Sequence, residues 1–190
     1  EGAGGRTVGW GAARGGRAPT ATDVGYNFLR IPHATPFGFT YWEIGNECYG
    51  DWEYDQHGVN GSGLPGVPHD PFTYAQAFAN FYAKMHAVDA AIHIGAVGTT
   101  GEDSYGNGTH AVPNPNEGNS LHSGWTPVVL ATLHSLGLVP HFLIHHSYAQ
   151  EPGSENDTSL LQGTTSAASD AANLRKMITD YVGANGSGIE

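Results

Sequence analysis

Two carboxyl groups and an amide lie close together in the segment from Trp42 to Glu47, whose sequence is WEIGNE. Glu47 comes just after the predicted end of a strand, where its carboxyl group can donate a proton and later remove one from water. The amide of Asn46 can hold a substrate hydroxyl. Glu43 lies inside the strand, where an ionised carboxylate is costly unless it is paired, so we expect it to anchor a polar layer. The segment predicts general acid/base chemistry at Glu47.

Strands and helices alternate along the rest of the chain. Apolar runs predict strands at 37–44, 92–98 and 141–146, and a further strand beginning at Ile189-Glu190. Helices are predicted to begin at Asp70-Pro71, at Thr126-Pro127 and at about Ser166, the first two from a capping side chain followed by proline. Long polar loops follow the strands, at 51–68 and 100–122. Repeated βα units indicate an α/β fold with a parallel sheet.

The order of elements is typical of a (β/α)8 barrel, in which the loops after the strands form the active-site face. About three of the eight units are present, so we predict a partial (β/α)8 (TIM) barrel over residues 20–190. Residues 1–19 are rich in Gly, Ala and Arg without a periodic pattern, and they are predicted to be an irregular N-terminal segment.

Composition limits the classes of partner. Seven basic residues against eighteen acidic ones give a net charge of −11, which argues against binding nucleic acid or an anionic membrane surface. A neutral polyhydroxylated substrate is not repelled by such a field. Cys48 is the only cysteine, so no internal disulfide forms, and we expect it to be a small buried residue. No phosphate-binding or dinucleotide-binding motif is present, and no cofactor is predicted.

The segment YWEIGNE at 41–47 resembles the fourth-strand motif of the clan A (β/α)8 retaining glycoside hydrolases, and is most similar to α-L-arabinofuranosidase-like members. GYNFLR at 25–30, FGF at 37–39 and HHSY at 145–148 also resemble that group. The resemblance covers about residues 20–190 and corresponds to strands four to six. It implies that Glu47 is the acid/base residue of the Asn-Glu pair, and that a nucleophilic glutamate follows a seventh strand, of which Ile189-Glu190 resembles the opening.

Retaining enzymes of this kind need a second carboxylate roughly 5–5.5 Å from the first. Glu102, Asp103 and Glu151 lie in loops after predicted strands, and they are the internal candidates for a substitute. As solvated loop acids they need no function. We expect the pKa of Glu47 to be raised by partial burial or by a neighbouring carboxylate.

Aromatic and histidine side chains are the remaining candidates for substrate binding. His146 and Tyr148 are predicted to orient groups near a substrate, and Trp42 either floors a sugar subsite or belongs to the core. A metal site is an alternative for the histidines, but His141 and His145 on one strand would lie about 13 Å apart at roughly 3.3 Å per residue. That separation is too large for one ion without help from His110, His122 or a loop carboxylate, and we predict no metal.

The leading hypothesis is a retaining glycoside hydrolase acting on plant cell-wall polysaccharide, either arabinofuranosidase-like or a β-glycanase. A second hypothesis is a catalytically incomplete partial barrel that binds carbohydrate. Exposed strand edges would then favour self-association into homo-oligomers. A third hypothesis is a metal-assisted or ester hydrolase, which inhibition by a chelator would favour.

Overall fold

The protein is described by a computed structural model, which covers residues 38–50, 52–53, 70–106, 108–150 and 152–190. The chain divides after Thr40 into two units, and the fold below is that of the second, Tyr41–Glu190. The irregular segment predicted for residues 1–19, and its boundary with the partial barrel predicted from residue 20, lie outside the described residues.

The described elements alternate as predicted, with one addition. In chain order they are strand β1 (Tyr41–Ile44), helix α1 (Pro71–Val88), β2 (His93–Val97), β3 (Val112–Asn114), a 3-10 turn (Pro115–Glu117), β4 (Ser120–His122), α2 (Trp125–Ser135), β5 (Phe142–Ile144), α3 (Asp157–Val182) and a 3-10 helix (Gly183–Gly188). In this part of the chain no helix combines the length and apolar composition needed to cross a membrane.

Three strands form a parallel sheet in the order β1-β2-β5. Tyr41 lies opposite His93 across the first pair, and Gly95 lies opposite Phe142 across the second. The prediction of parallel βα repeats is therefore confirmed. At the free edge of β5, the Glu190 N–H donates to His141 O at 3.0 Å and the Leu143 N–H donates to Glu190 O at 3.0 Å. This is the pattern of a parallel neighbour, which agrees with the strand predicted to begin at Ile189-Glu190.

Helix α1 begins as its sequence predicts. The carboxylate of Asp70 accepts the N–H groups of Phe72 and Thr73, each at 3.2 Å, and Pro71 occupies the first turn. The buried face of α1 includes Phe78, which packs against the sheet. Val88, the last residue of the helix, is 88% exposed.

Helix α2 begins two residues earlier than the predicted cap at Thr126 implies, and it is capped differently. Gly124 is its N-cap, without a side-chain hydrogen bond. The hydroxyl of Thr126, predicted to be the cap, instead donates to Thr99 O and accepts the Thr99 N–H, both at 2.7 Å. The threonine thus ties α2 to the chain leaving β2. Just past the other end Gly137 adopts a positive φ of 71°, a conformation in which glycine commonly ends a helix.

The loop predicted over residues 100–122 contains an antiparallel hairpin of β3 and β4. Gly118 and Asn119 both adopt a φ of +65° at its turn, which these residue types tolerate better than others. Helix α3 begins at Asp157 rather than near Ser166, with Asn156 accepting the Ser159 N–H at 2.9 Å. The first half of α3 is largely exposed and polar, so it lacks the apolar period that reveals a buried helix.

Two clusters of buried side chains make up the core. One lies between the sheet and helices α1 and α2, and includes Phe78, Ile94 and Trp125, each fully buried. The other joins α2 to α3 and to the C-terminal residues through Leu130 and Met177. The buried β2 side chains belong to the first cluster, and Leu143 of β5 packs against both.

The hydroxyl of Tyr74 links the carboxyl ends of β1 and β2. It donates to Ile44 O at 2.7 Å and accepts the Val97 N–H at 2.9 Å, on a side chain that is 1% exposed. Both backbone groups lie in a buried region, where an unpaired group costs about 1–3 kcal/mol. This one hydroxyl therefore satisfies two strand ends from within helix α1.

Replacing Tyr74 with Phe should lower the free energy of unfolding by about 2–4 kcal/mol, because it leaves the Ile44 carbonyl and the Val97 N–H unpaired. Denaturant unfolding measures the loss. Tyr82→Phe, on the same helix but with a partly exposed ring, is the matched control and should cost less. Equal losses in the two variants would contradict the role of the Tyr74 hydroxyl.

The ring of His141 stacks on those of Tyr82 and His86 and is tilted relative to that of His93, near the amino ends of β2 and β5. The ring centroid of His141 lies 5.3 Å from that of His86, 5.0 Å from that of His93 and 5.5 Å from that of Tyr82. Burial lowers the pKa of His141, and the nearby His93 and His86 lower it further. Nδ1 of His141 accepts the Ile94 N–H at 3.0 Å, so a proton on Nδ1 would displace this hydrogen bond.

Stability should fall as the pH is lowered from about 7.5 to about 5, because the unfolded chain binds protons at His141 that the folded chain resists. His141→Asn keeps an oxygen acceptor for the Ile94 N–H and does not titrate, so its loss over this range should be smaller. Thermal unfolding of both proteins at the two pH values measures the difference. A pH dependence unchanged by the substitution would show that the stack does not cause it.

Candidate active site

Glu47 lies in a tight turn immediately after β1. Gly45, one residue past the strand, has a φ of +90°, and a Cβ there would lie 2.3 Å from the sulfur of Cys48. Glu47 itself adopts a φ of +41°, a conformation that a residue other than glycine occupies at a cost of about 1–3 kcal/mol. The turn closes through the Gly50 N–H, which donates to Glu47 O at 2.7 Å. A strained backbone therefore presents this carboxylate, and such strain often accompanies function.

Side chains from two loops contact the two oxygens of the Glu47 carboxylate. His146 Nδ1 lies 2.8 Å from Oε1, and the Tyr148 hydroxyl donates to the same oxygen at 3.4 Å. Trp52 Nε1 donates to Oε2 at 2.7 Å. His146 and Tyr148 follow β5, whereas Trp52 follows β1, so the parallel sheet brings together side chains about a hundred residues apart. The side chain of Glu47 is 13% exposed.

These contacts lower the pKa of Glu47, chiefly through the hydrogen bond from His146 and then the one from Trp52. The expectation that this pKa would be raised is therefore wrong for this arrangement. Burial, the cause we expected to raise it, contributes less than the hydrogen bonds that stabilise the ionised form. Glu47 is an ionised carboxylate near neutral pH in this site.

The second glutamate of the segment has a different environment. Desolvation raises the pKa of Glu43, and the nearby His146 opposes that effect. Glu43 and Asn46 both line a cavity of about 400 Å³ between β1 and α1. The amide of Asn46 donates to Glu53 Oε1 at 2.9 Å, which fixes the orientation of the amide beside the cavity. Asn46 thus stands next to Glu47 with its nitrogen already engaged.

The predicted site residues do not all lie together. Glu47, His146 and Tyr148 are in mutual contact through the Glu47 carboxylate, while Trp42 packs with Ile44 against the core cluster under α1. This is the core alternative considered for Trp42, and its role in sugar binding stays a prediction without support from its position.

Trp52 is the contact that sequence reasoning missed. It lies in the glycine-rich stretch after the strand, where no periodic pattern marks a residue as important. The available signal was a tryptophan five residues after the candidate acid, because the indole N–H of a tryptophan can donate a hydrogen bond to a carboxylate.

The histidines predicted as alternative metal ligands are separated by β5. His141 belongs to the stack beside α1, whereas His145 Nε2 lies 3.4 Å from Asp170 on α3. A different group, Glu102, Glu117 and His122, has ligand atoms within 4.8 Å of one another on and beside the hairpin.

Side chains of this second group are engaged in hydrogen bonds and ion pairs with other parts of the protein. Asn114 Nδ2 donates to Glu102 at 2.7 Å, and Lys176 Nζ contacts Glu117 at 2.7 Å and also pairs with Asp180. We therefore interpret the cluster as the anchor that holds the hairpin on α3.

Comparison with known proteins gives one structural likeness. No family model matches the sequence, and no curated protein matches it. Among solved structures, the chain is similar to an α-L-arabinofuranosidase from Thermotoga maritima in complex with arabinose, with a TM-score of 0.50 and 20% sequence identity. The likeness covers 86% of this chain and 26% of that chain, so this chain spans about a quarter of its neighbour. At this identity the likeness concerns the fold, a mixed α/β arrangement of parallel strands.

Proposed function

We propose that this chain is part of a retaining glycoside hydrolase with a (β/α)8 barrel, of the arabinofuranosidase-like or β-glycanase kind, acting on plant cell-wall polysaccharide. The observation that carries the proposal is the Glu47 carboxylate, presented in a strained turn at the end of a parallel strand and contacted by His146, Tyr148 and Trp52. The resemblance of the segment at 41–47 to glycosidase motifs and the fold likeness support it.

In this proposal Glu47 protonates the glycosidic oxygen as the bond breaks, and then removes a proton from the water that releases the sugar. His146 and Trp52 hold the carboxylate in one orientation, and the carbonyl oxygen of the Asn46 amide is available to a sugar hydroxyl. Donation requires Glu47 to be protonated. A second carboxylate about 5–5.5 Å away would raise its pKa, which the hydrogen bonds alone lower.

The second carboxylate is not assigned to the loop acids considered from sequence. Glu102 accepts hydrogen bonds from Asn114 and Tyr181, and Asp103 contacts His122, so both serve the hairpin anchor. Glu151 lies outside the described residues. The resemblance implies a nucleophilic glutamate at the end of a further strand. That strand would lie next to β5, at the edge where Glu190 hydrogen-bonds to His141 and Leu143.

Glu47→Gln should reduce hydrolysis of an aryl arabinofuranoside by a factor of about 10²–10⁴, since an amide cannot donate or accept the proton. Initial rates of release of the aryl group measure the effect. Glu117→Gln on the hairpin is the control, and it should keep nearly full activity because it removes a carboxylate from the anchor and not from the site. Undiminished hydrolysis by Glu47→Gln would show the assignment to be wrong.

A second candidate function is carbohydrate binding without turnover. The lowered pKa of Glu47 favours it, because an ionised carboxylate accepts hydrogen bonds from sugar hydroxyls but cannot supply the proton for bond cleavage. Binding of an oligosaccharide by a protein that releases no product from an aryl glycoside or from arabinoxylan would favour this function over hydrolysis.

A further inference from the structure

Two exposed aromatic rings form a corner beside Glu47. The side chains of Trp52 and Tyr105 are 54% and 50% exposed, and their ring planes meet at 81° with centroids 6.2 Å apart. Trp52 comes from the loop after β1 and Tyr105 from the loop after β2. We call this pair of rings the aromatic corner.

The aromatic corner is supported from the core side by Tyr49. The ring of Tyr49 lies 4.6 Å from that of Tyr105 and 6.0 Å from that of Trp52, and it also contacts fully buried Trp125 at 6.0 Å. A partly buried ring in contact with the core thus fixes both exposed rings. Two exposed aromatics held in this way differ from single apolar side chains scattered over a surface, which need no explanation.

The backbone at Tyr105 provides an independent observation. Its φ is +54°, a conformation that is rare and costly for a bulky aromatic residue. The residues immediately before and after Tyr105 hold it in this conformation. The Trp125 N–H donates to Ser104 O at 2.8 Å, and Gly106 packs so closely on Ser123 that a Cβ would lie 2.3 Å from its carbonyl oxygen. The loop is therefore built to present this ring at a strained position.

We propose that the aromatic corner binds a neutral glycosyl ring next to the bond that Glu47 acts on, and that Tyr105 determines the preference for an oligosaccharide over a single sugar. This inference rests on the proposed carbohydrate-directed function of the site. An aromatic face binds the apolar C–H face of a sugar, and the perpendicular wall limits how the ring can lie. Trp52 connects the aromatic corner to the carboxylate, because its ring nitrogen donates to Glu47 Oε2 at 2.7 Å.

The test measures binding in a protein with the Glu47→Gln substitution, so that hydrolysis does not consume the ligand. Xylotetraose and free arabinose are titrated by isothermal calorimetry. In this background Tyr105→Asn removes the ring while keeping a residue that tolerates positive φ, and Tyr105→Phe keeps the ring without the hydroxyl. Thermal unfolding checks that each variant is folded.

We expect Tyr105→Asn to weaken xylotetraose binding about tenfold, as the loss of one aromatic contact implies, and to change arabinose binding by less than about twofold. Tyr105→Phe should bind xylotetraose like its parent. Equal affinities of the Asn and Phe variants, or a folded parent that does not bind xylotetraose, would overturn the proposal. The result is separate from the hydrolytic assay, since binding that depends on Tyr105 stands whether or not Glu47 proves to be the acid.

Discussion

The register between parallel strands β1 and β2 is the constraint on which the site depends. The Tyr74 hydroxyl spans the ends of these two strands, and Thr126 secures the chain that leaves β2. Because the strands are parallel, their loops emerge at one edge of the sheet, and there Glu47 meets Trp52 from the loop after β1 and His146 and Tyr148 from the loop after β5. A slip of one residue would move the side chains of Trp42 and Glu43 each to the other face of the sheet. It would also separate the Glu47 carboxylate from its partners.

The immediate surroundings of Glu47 favour a negative charge, although the chain as a whole is negatively charged. The protein carries −11 overall, yet Glu47 is surrounded by hydrogen-bond donors that favour its ionised form. Three carboxylates, those of Glu102, of Glu117 in the hairpin and of Asp180 on α3, are instead grouped around Lys176, whose own pKa is raised chiefly by Asp180 and Glu117. The protein thus separates a cluster of three carboxylates held by one lysine from the Glu47 carboxylate at the end of β1. Because the carboxylates by the hairpin are held by Lys176 whereas Glu47 meets neutral and histidine donors at a strand end, we assign the cluster a structural role and Glu47 the candidate chemistry.

Much of the fold was predictable from local signals in the sequence. Where the prediction was wrong, the cause lies in particular residues. The start of α1 was predictable from Asp70-Pro71 and from the apolar spacing that follows. Both the capping carboxylate and the buried face are features of residues close together in sequence. Thr126 gave a false cap signal, since its hydroxyl is used by Thr99 from another element. The hairpin and the first half of α3 were missed because polar side chains carry no period there.

The sequence by itself determined that a carboxylate follows a strand in a parallel βα arrangement, since strand pattern, glycine position and charge are properties of consecutive residues. It also singled out His146 and Tyr148. Only the tertiary structure decided that these two share one oxygen of Glu47, that Trp52 holds the other and that Trp42 faces the core. The direction of the Glu47 pKa shift was decided there too. Its causes are hydrogen bonds from residues that the chain brings together across the sheet, and no pattern of neighbouring residues encodes their distances.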